Sequence, residues 1–480
     1  MMTRRQLWLA FSFVTTATFM VNVDSSIVNV ALPTLSHQFH LSVASLQWVV
    51  TMYLLVITAI LPIVAKLADV FGRRRIFVIG LMIFSLSSLF CGLSPNFPDL
   101  VAARGLQGVG GAIMQANVMS IVTLMFPVEM RGRALGTIGS VVAAGTLMGP
   151  ILGGLLISWF GWPSIFYVNV PIGILGVAGI LRYVPEFPGK PLQRSFDLLG
   201  GVLFAAFVVS FLTLFADLSH AAVSYKDGAL TIVTALLLYA FIRVESRHPE
   251  PLVELSVFKR PLFSAAMGAG LLYWILMLFP AFLMPLYLQE VLHLPVWEIG
   301  LLMTPQSIAM LVISPIGGYL SDRYGTVGPA ALGIGLFVAA DIWFASLGTH
   351  ASLLSAIGAL TLQGIAAGMF SSPNNAEIFN RADKEMTGIV GGLIASERNF
   401  GRSLGVTFAA LALSLGMQLF SGTRVKSAEM GVLPSHVFVT GFDFAFWIAV
   451  CVALLAMMFV FYPRLRRDKG LREVAMIKGE

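Results

Sequence analysis

The chain has 480 residues and a formal net charge of +6, and it is 57% hydrophobic but only 11% charged, against roughly 25% charged in ordinary soluble proteins. That composition excludes a water-soluble globule. A membrane barrel is excluded too, because the apolar runs are continuous over about 20 residues, whereas membrane strands alternate over segments of roughly 10.

Breaks marked by polar residues, Pro and Gly divide the sequence into fourteen apolar segments, expected as helical spans near residues 7 to 33, 45 to 65, 76 to 93, 99 to 126, 134 to 158, 164 to 184, 198 to 217, 228 to 243, 261 to 290, 298 to 320, 329 to 347, 354 to 376, 389 to 420 and 441 to 463. The run after Arg4 and Arg5 is too long for a signal-peptide core and is followed by no small-residue cleavage site, so it reads as the first span. Cys91 and Cys451 both fall inside predicted spans and offer neither a disulfide framework nor a zinc site.

The loops fix the orientation. With the N-terminus placed inside, 24 of the 30 Lys and Arg residues fall on inner segments, and the outer segments hold only Lys226, Arg424 and Lys426. By the excess of positive charge on the cytoplasmic side, both termini are expected in the cytoplasm of a plasma (inner) membrane. The same spread of charge over alternate loops argues against a nucleic-acid face, so the partners expected are lipid bilayer and small molecules.

Two inner loops repeat a pattern. AKLADVFGRRR, residues 65 to 75, follows the second predicted span, and GYLSDRYG, residues 318 to 325, follows the tenth, with L-[AS]-D-x-x-G in common. A tight Gly turn and an acid beside basic neighbours suit a lock between helix ends, and the repeat implies two related halves.

At these residues the chain resembles the major facilitator superfamily over essentially its whole length. DSSIVNVALP in the first span, ARGLQGVGGA in the fourth and GTLMGPILGG, residues 145 to 154, in the fifth are similar to motifs of its drug:proton antiporters. Eight predicted spans, rather than six, run between the two loop motifs, which matches the fourteen-helix branch. The resemblance implies an all-α polytopic membrane protein with the major facilitator fold. Its parts are an N-terminal six-helix bundle (1–197), two extra linker helices (198–243) and a C-terminal six-helix bundle with a cytoplasmic tail (244–480). It further implies a proton-coupled antiporter that exports amphipathic, often cationic, compounds, with the proton gradient as energy source and no cofactor. The first loop motif departs from the family by opening on Ala65, and the second lacks the basic triplet after its Gly, so its latch is expected to be weaker.

Asp24 stands alone as an acid in the first span, where a charged carboxylate costs about 2.5 to 3.5 kcal/mol on insertion scales and therefore faces a partner or a wet cavity. Removal from water disfavours the charged form of any carboxylic acid, which is the physical basis for proton coupling at such a place. At about 100° per residue, Thr15, Thr18, Asn22, Ser25, Ser26 and Asn29 form one stripe, and Asp24 lies opposite with Phe13, Met20 and Ile27. Two arrangements are open. Either the stripe packs internally while Phe13, Met20, Asp24 and Ile27 line the cavity, or the stripe is the cavity wall and Asp24 packs against a neighbour. Competition of cargo and proton for Asp24 gives antiport directly; a purely structural carboxylate is the plain alternative.

Arg104 is the natural partner, about 8 Å below the outer edge of its span, against about 13 Å for Asp24. It shares a helical face with Gln107, Gly108, Gly111 and Gln115. The resemblance assigns Arg104 to proton relay, and an interhelix clamp is the alternative. Gly145, Gly149, Gly153 and Gly154, with Pro150 among them, permit close packing and a bend, read as a gating hinge or as ordinary packing. Asp69, Gly72 and Arg73, with Asp322 and Arg323 in the second copy, are read as a conformational latch. Gln115, Asp341 and Glu397 are further cavity candidates, while Arg398 and Arg402 read as interfacial.

Other classes fit poorly. No metal-ligand cluster, nucleophile motif or phosphate-binding loop is present, so an enzyme or a directly ATP-driven pump is not expected. No loop exceeds about 25 residues, too short for a sensing domain. A same-fold transporter of one dedicated substrate, such as a lipid, siderophore or metabolite, is the alternative function. Oligomeric state is left open, a monomer being sufficient.

Overall fold

The computed structural model describes residues 4–189, 197–218, 225–248, 251, 255–381, 387–421 and 434–478. Its regular structure is helical throughout. The first half comprises α1 (Arg4–Phe39), the single turn α2 (Val43–Leu46), α3 (Trp48–Phe71), α4 (Arg73–Leu93), α5 (Phe97–Met125), α6 (Val128–Phe160), the short α7 (Ser164–Tyr167) and α8 (Asn169–Tyr183). Then come α9 (Leu198–Leu218) and α10 (Tyr225–Glu245). The second half comprises α11 (Pro261–Glu290), α12 (Val296–Leu302), α13 (Thr304–Tyr324), α14 (Val327–Phe344), α15 (Leu353–Asn380), α16 (Thr387–Ser421) and α17 (Ser435–Lys478).

Among the described residues, twelve helices are long and apolar enough to cross a membrane, and the fourteen expected are not reached. The segments expected at 134 to 158 and 198 to 217 fall on α6 and α9, of 33 and 21 residues, within which the described residues Ala144–Phe160 and Leu199–Phe215 form shorter apolar stretches.

In lipid, apolar helices gain little by mutual burial, so close backbone approach at small residues has to hold the bundle. The α4–α5 crossing shows how: a Cβ on Gly110 would sit 2.7 Å from the Gly80 carbonyl oxygen and 2.8 Å from Phe84 Cα. The second half repeats the device where Gly317 meets the Gly368 carbonyl of α15. Asn96 caps α5 by accepting from the Asp99 amide at 2.9 Å.

The two loop motifs turn alike. Gly72 joins α3 to α4 with φ of 95°, and Gly325 joins α13 to α14 with φ of 83°, a region that disfavours any residue with a Cβ. The α9 helix packs against α3 of one half and α16 of the other. Phe211 lies 5.9 Å from Phe400 and Phe215 5.0 Å from Phe408, ring to ring. The α10 helix packs on α9, with Ile232, Leu236 and Tyr239 exposed.

Candidate functional site

The acid in the first span is fully buried, and so is the arginine in α5. Arg104 Nη1 donates to Asp24 Oδ2 at 2.7 Å. Asp24 Oδ1 accepts from Gln107 Nε2 at 2.8 Å and from Asn169 Nδ2, at the start of α8, at 2.9 Å. Gln107 Nε2 also reaches Ser88 Oγ of α4 at 2.8 Å, while Gln107 Oε1 accepts from Arg104. The guanidinium donates through Nε to the Val49 carbonyl at 2.9 Å, and its carbon lies 4.2 Å from the Tyr53 ring centroid. One network thus ties α1, α3, α4, α5 and α8 together around a single ion pair. Removing either charge from such a buried pair costs about 3–5 kcal/mol, because the other is left uncompensated.

This settles which side of α1 faces the cavity, and it is the converse of the first arrangement. Asn22, Ser26 and Asn29 of the polar stripe line a space of about 890 Å³ between the halves, together with Pro150, Trp274, Gln306, Arg398 and Arg402. Asp24 points away from it, into the first half. Phe13 stacks on Tyr183 of α8 at 5.6 Å, and Ile27 meets Gly153 of α6, so neither lines that space, nor does buried Met20.

A second space, also about 890 Å³, lies toward the face that carries the chain ends; Thr18, Asn22, Gln115, Ile138, Phe379 and Arg398 are among its lining. Gln115 accepts from Asn399 Nδ2 of α16 at 3.2 Å, one of the polar contacts between halves. Arg398, misread as interfacial, lines both spaces. Its depth was legible, since it sits eleven positions into α16, about 16 Å along the axis. Glu397 turns elsewhere: a Cβ on Gly270 would meet its carboxylate and the Asn374 amide, placing it against α11 and α15. Asp341 is buried in α14 and lines neither space, so both acids depart from the cavity reading.

The glycine motif of α6 has two faces. Gly145, Gly149 and Gly153 lie against Asn22, Ser26 and Ile27 of α1, and Ser26 Oγ donates to the Gly145 carbonyl at 3.4 Å. Gly154 and Pro150 instead meet α12 of the other half: a Cβ on Gly154 would stand 2.9 Å from the Val296 carbonyl oxygen, and one on Gly300 would strike the Pro150 carbonyl. Nearby, His37 of α1 contacts Glu290 of α11 at 2.8 Å. The halves are therefore closed together at the face opposite the chain ends.

In the first loop motif the Asp69 side chain lies outside the described residues. Arg74 donates to the Leu181 carbonyl, and Arg75 stands 3.7 Å from Glu186, both partners belonging to the same half. Arg73 is partly buried at the start of α4. In the second copy Asp322 and Arg323 are exposed, and Arg323 meets Tyr319 at 3.3 Å. Glu377, which the sequence reading missed, takes the junction there, accepting from Thr326 at 2.5 Å and Arg381 at 2.7 Å.

Residues 14–406 match the Major Facilitator Superfamily, and the chain belongs to that family of membrane transporters. It is 29% identical to the riboflavin transporter RibZ of Clostridioides difficile (strain 630), over 97% of this chain and 100% of the relative. It is 31% identical to the multidrug resistance protein Stp of Mycobacterium tuberculosis (strain CDC 1551 / Oshkosh), over 87% and 78%. Its fold is similar to the crystal structure of a bacterial homolog of the human lysosomal transporter Spinster in an inward-facing, unoccupied conformation, with a TM-score of 0.68, 17% identity and coverage of 96% and 97%.

Proposed function

We propose that this transporter is a proton-coupled antiporter exporting amphipathic compounds by alternating access. The observation that carries the reading is the buried Asp24–Arg104 pair set on the opposite side of α1 from the cavity wall. One helix therefore answers to two ligands. Cargo seated against Asn22, Ser26 and Asn29 bears on one face of α1, and a proton on Asp24 would cancel the charge that holds Arg104 on the other. Each ligand biases the same element, so coupling needs no shared site. This replaces direct competition at the carboxylate with linkage through the helix. The likeness to Stp supports export of drugs, and the full-length likeness to RibZ favours, as a second reading, one dedicated substrate.

Both termini are proposed to lie in the cytoplasm of a plasma membrane, from the inner-loop charge. A fourteen-span topology is supported by α6 and α9, apolar helices of 33 and 21 residues. On that topology α9 and α10 are the linker pair between two six-helix bundles. Single cysteines at Gly161 and Lys226 are expected to react with an impermeant thiol reagent from one side of the membrane and a cysteine at Ser246 from the other; labelling of all three from one side would refute it.

Proteoliposomes test the function. Imposing a pH gradient should accelerate efflux of an amphipathic dye about tenfold, and a protonophore should remove the gain. Flux indifferent to the gradient would show a uniporter.

A further inference from the structure

Arg398 and Arg402 sit one helical turn apart on α16, and both line the central space. Neither makes a hydrogen bond or ion pair with a carboxylate among the described residues. Asp24 is held by Arg104, Gln107 and Asn169, and Glu397, beside Arg398 in sequence, turns its carboxylate away from the space toward Gly270 and Asn374. Among the described residues, no Asp or Glu lines the space. Two guanidinium groups at membrane depth that hydrogen-bond no carboxylate are costly, and an anion that enters relieves the cost while supplying flat, two-pronged acceptors that match their donors.

The rest of the wall defines the remainder of the ligand. Trp274, Met277, Met303 and Met310 offer a flat ring and soft thioether surfaces suited to a planar apolar body, and Asn22 and Gln306 offer amides to its polar edges. A cation placed about 6 Å from one guanidinium would be disfavoured about a hundredfold at an effective dielectric near 20.

We propose that the central cavity selects acidic amphiphiles, planar apolar molecules bearing a carboxylate, sulfonate or phosphate, whose anionic group is held by Arg398 and Arg402. The inference takes this space as the cargo site, as the proposed function does, but it does not depend on proton coupling.

Equilibrium binding to the purified full chain in nanodiscs of neutral lipid, without any gradient, keeps the two readings apart. Fluorescein and rhodamine 123 are suitable probes, sharing a flat xanthene body and differing in charge. Fluorescein should bind at least about tenfold more tightly. Arg402→Gln should weaken fluorescein about tenfold without weakening rhodamine 123, and Arg398→Gln should act in the same direction. Arg402→Lys keeps the charge and should retain most of the affinity, which separates loss of charge from loss of fold; thermal unfolding in the same nanodiscs checks each variant.

Rhodamine 123 bound as tightly as fluorescein, or fluorescein affinity unchanged in both Gln variants, would overturn the proposal. So would inorganic phosphate binding as tightly as fluorescein, which would mark a site for simple anions. Loss of fluorescein binding when phosphatidylglycerol replaces the neutral lipid would assign the arginines to a lipid headgroup and overturn it as well. Preserved fluorescein selectivity in a protein whose flux ignores a pH gradient would uphold this proposal and sink the antiport reading alone.

Discussion

Asp24→Asn is expected to abolish gradient-driven export, lowering its initial rate about a hundredfold, the upper end of the coupling two linked sites ordinarily carry. Asparagine keeps an oxygen for Gln107 and Asn169 but brings no charge, so Arg104 is left buried and uncompensated. Stability should fall by as much as about 3–5 kcal/mol. The informative comparison is the double variant Asp24→Asn/Arg104→Gln, which removes both charges while leaving amide groups for Gln107 and the Val49 carbonyl. It should recover most of the lost stability, read as thermal unfolding in nanodiscs, and none of the export. A clamp with no part in coupling predicts the reverse, since restoring the packing would restore the flux. Recovery of export in the double variant would end the assignment of Asp24 as the coupling group.

That pair was legible in the sequence because its logic is one-dimensional. An acid and an arginine on two spans must find partners at membrane depth, and residue counting from the loops put them at compatible levels. The periodicity of α1 was equally plain, but a stripe says only that two faces differ and leaves open which neighbour each one meets. The structure turned Asn22, Ser26 and Asn29 to the cavity because small glycines of α6 take one edge of the stripe and the interface between halves takes the other. Asn169 and Ser88 escaped notice for a different reason. Single short polar residues are common within spans, and only three-dimensional convergence on the network around Asp24 and Gln107 distinguishes these two. Arg398 and Arg402 were misplaced because the segment holding them is longer than the bilayer needs, which made an interfacial position look sufficient. The loop repeat gave the Gly72 and Gly325 turns correctly in both copies, yet the acid at the second junction is Glu377, 51 residues beyond Thr326, a distance at which no motif operates.

The second large effect is expected at Gly300, where the halves touch backbone to backbone. A Cβ there would collide with the Pro150 carbonyl and stand 3.2 Å from Gly154 Cα, and the obstruction exists only while α12 lies on α6. Both obstructing groups are main-chain atoms of a helix already fixed against α1 through Gly149 and Gly153, so they cannot swing aside as a flexible side chain would. Gly300→Val should therefore penalise the state closed at the face opposite the chain ends by about 1–3 kcal/mol, the usual cost of overpacking, and leave the oppositely closed state unaffected. That penalty moves the equilibrium between the two states about 5- to 150-fold. An impermeant thiol reagent applied at that face should then label a cysteine placed at Ser307 in the central cavity at least about fivefold faster, while cycling and export slow because one of the two required states is rarely visited. Gly328→Val, at a position with nothing within 4 Å, is the matched control and should change neither labelling nor flux. Unchanged labelling in Gly300→Val would show that the α6–α12 contact does not open during transport, and the rocking axis would then have to be sought elsewhere in the bundle.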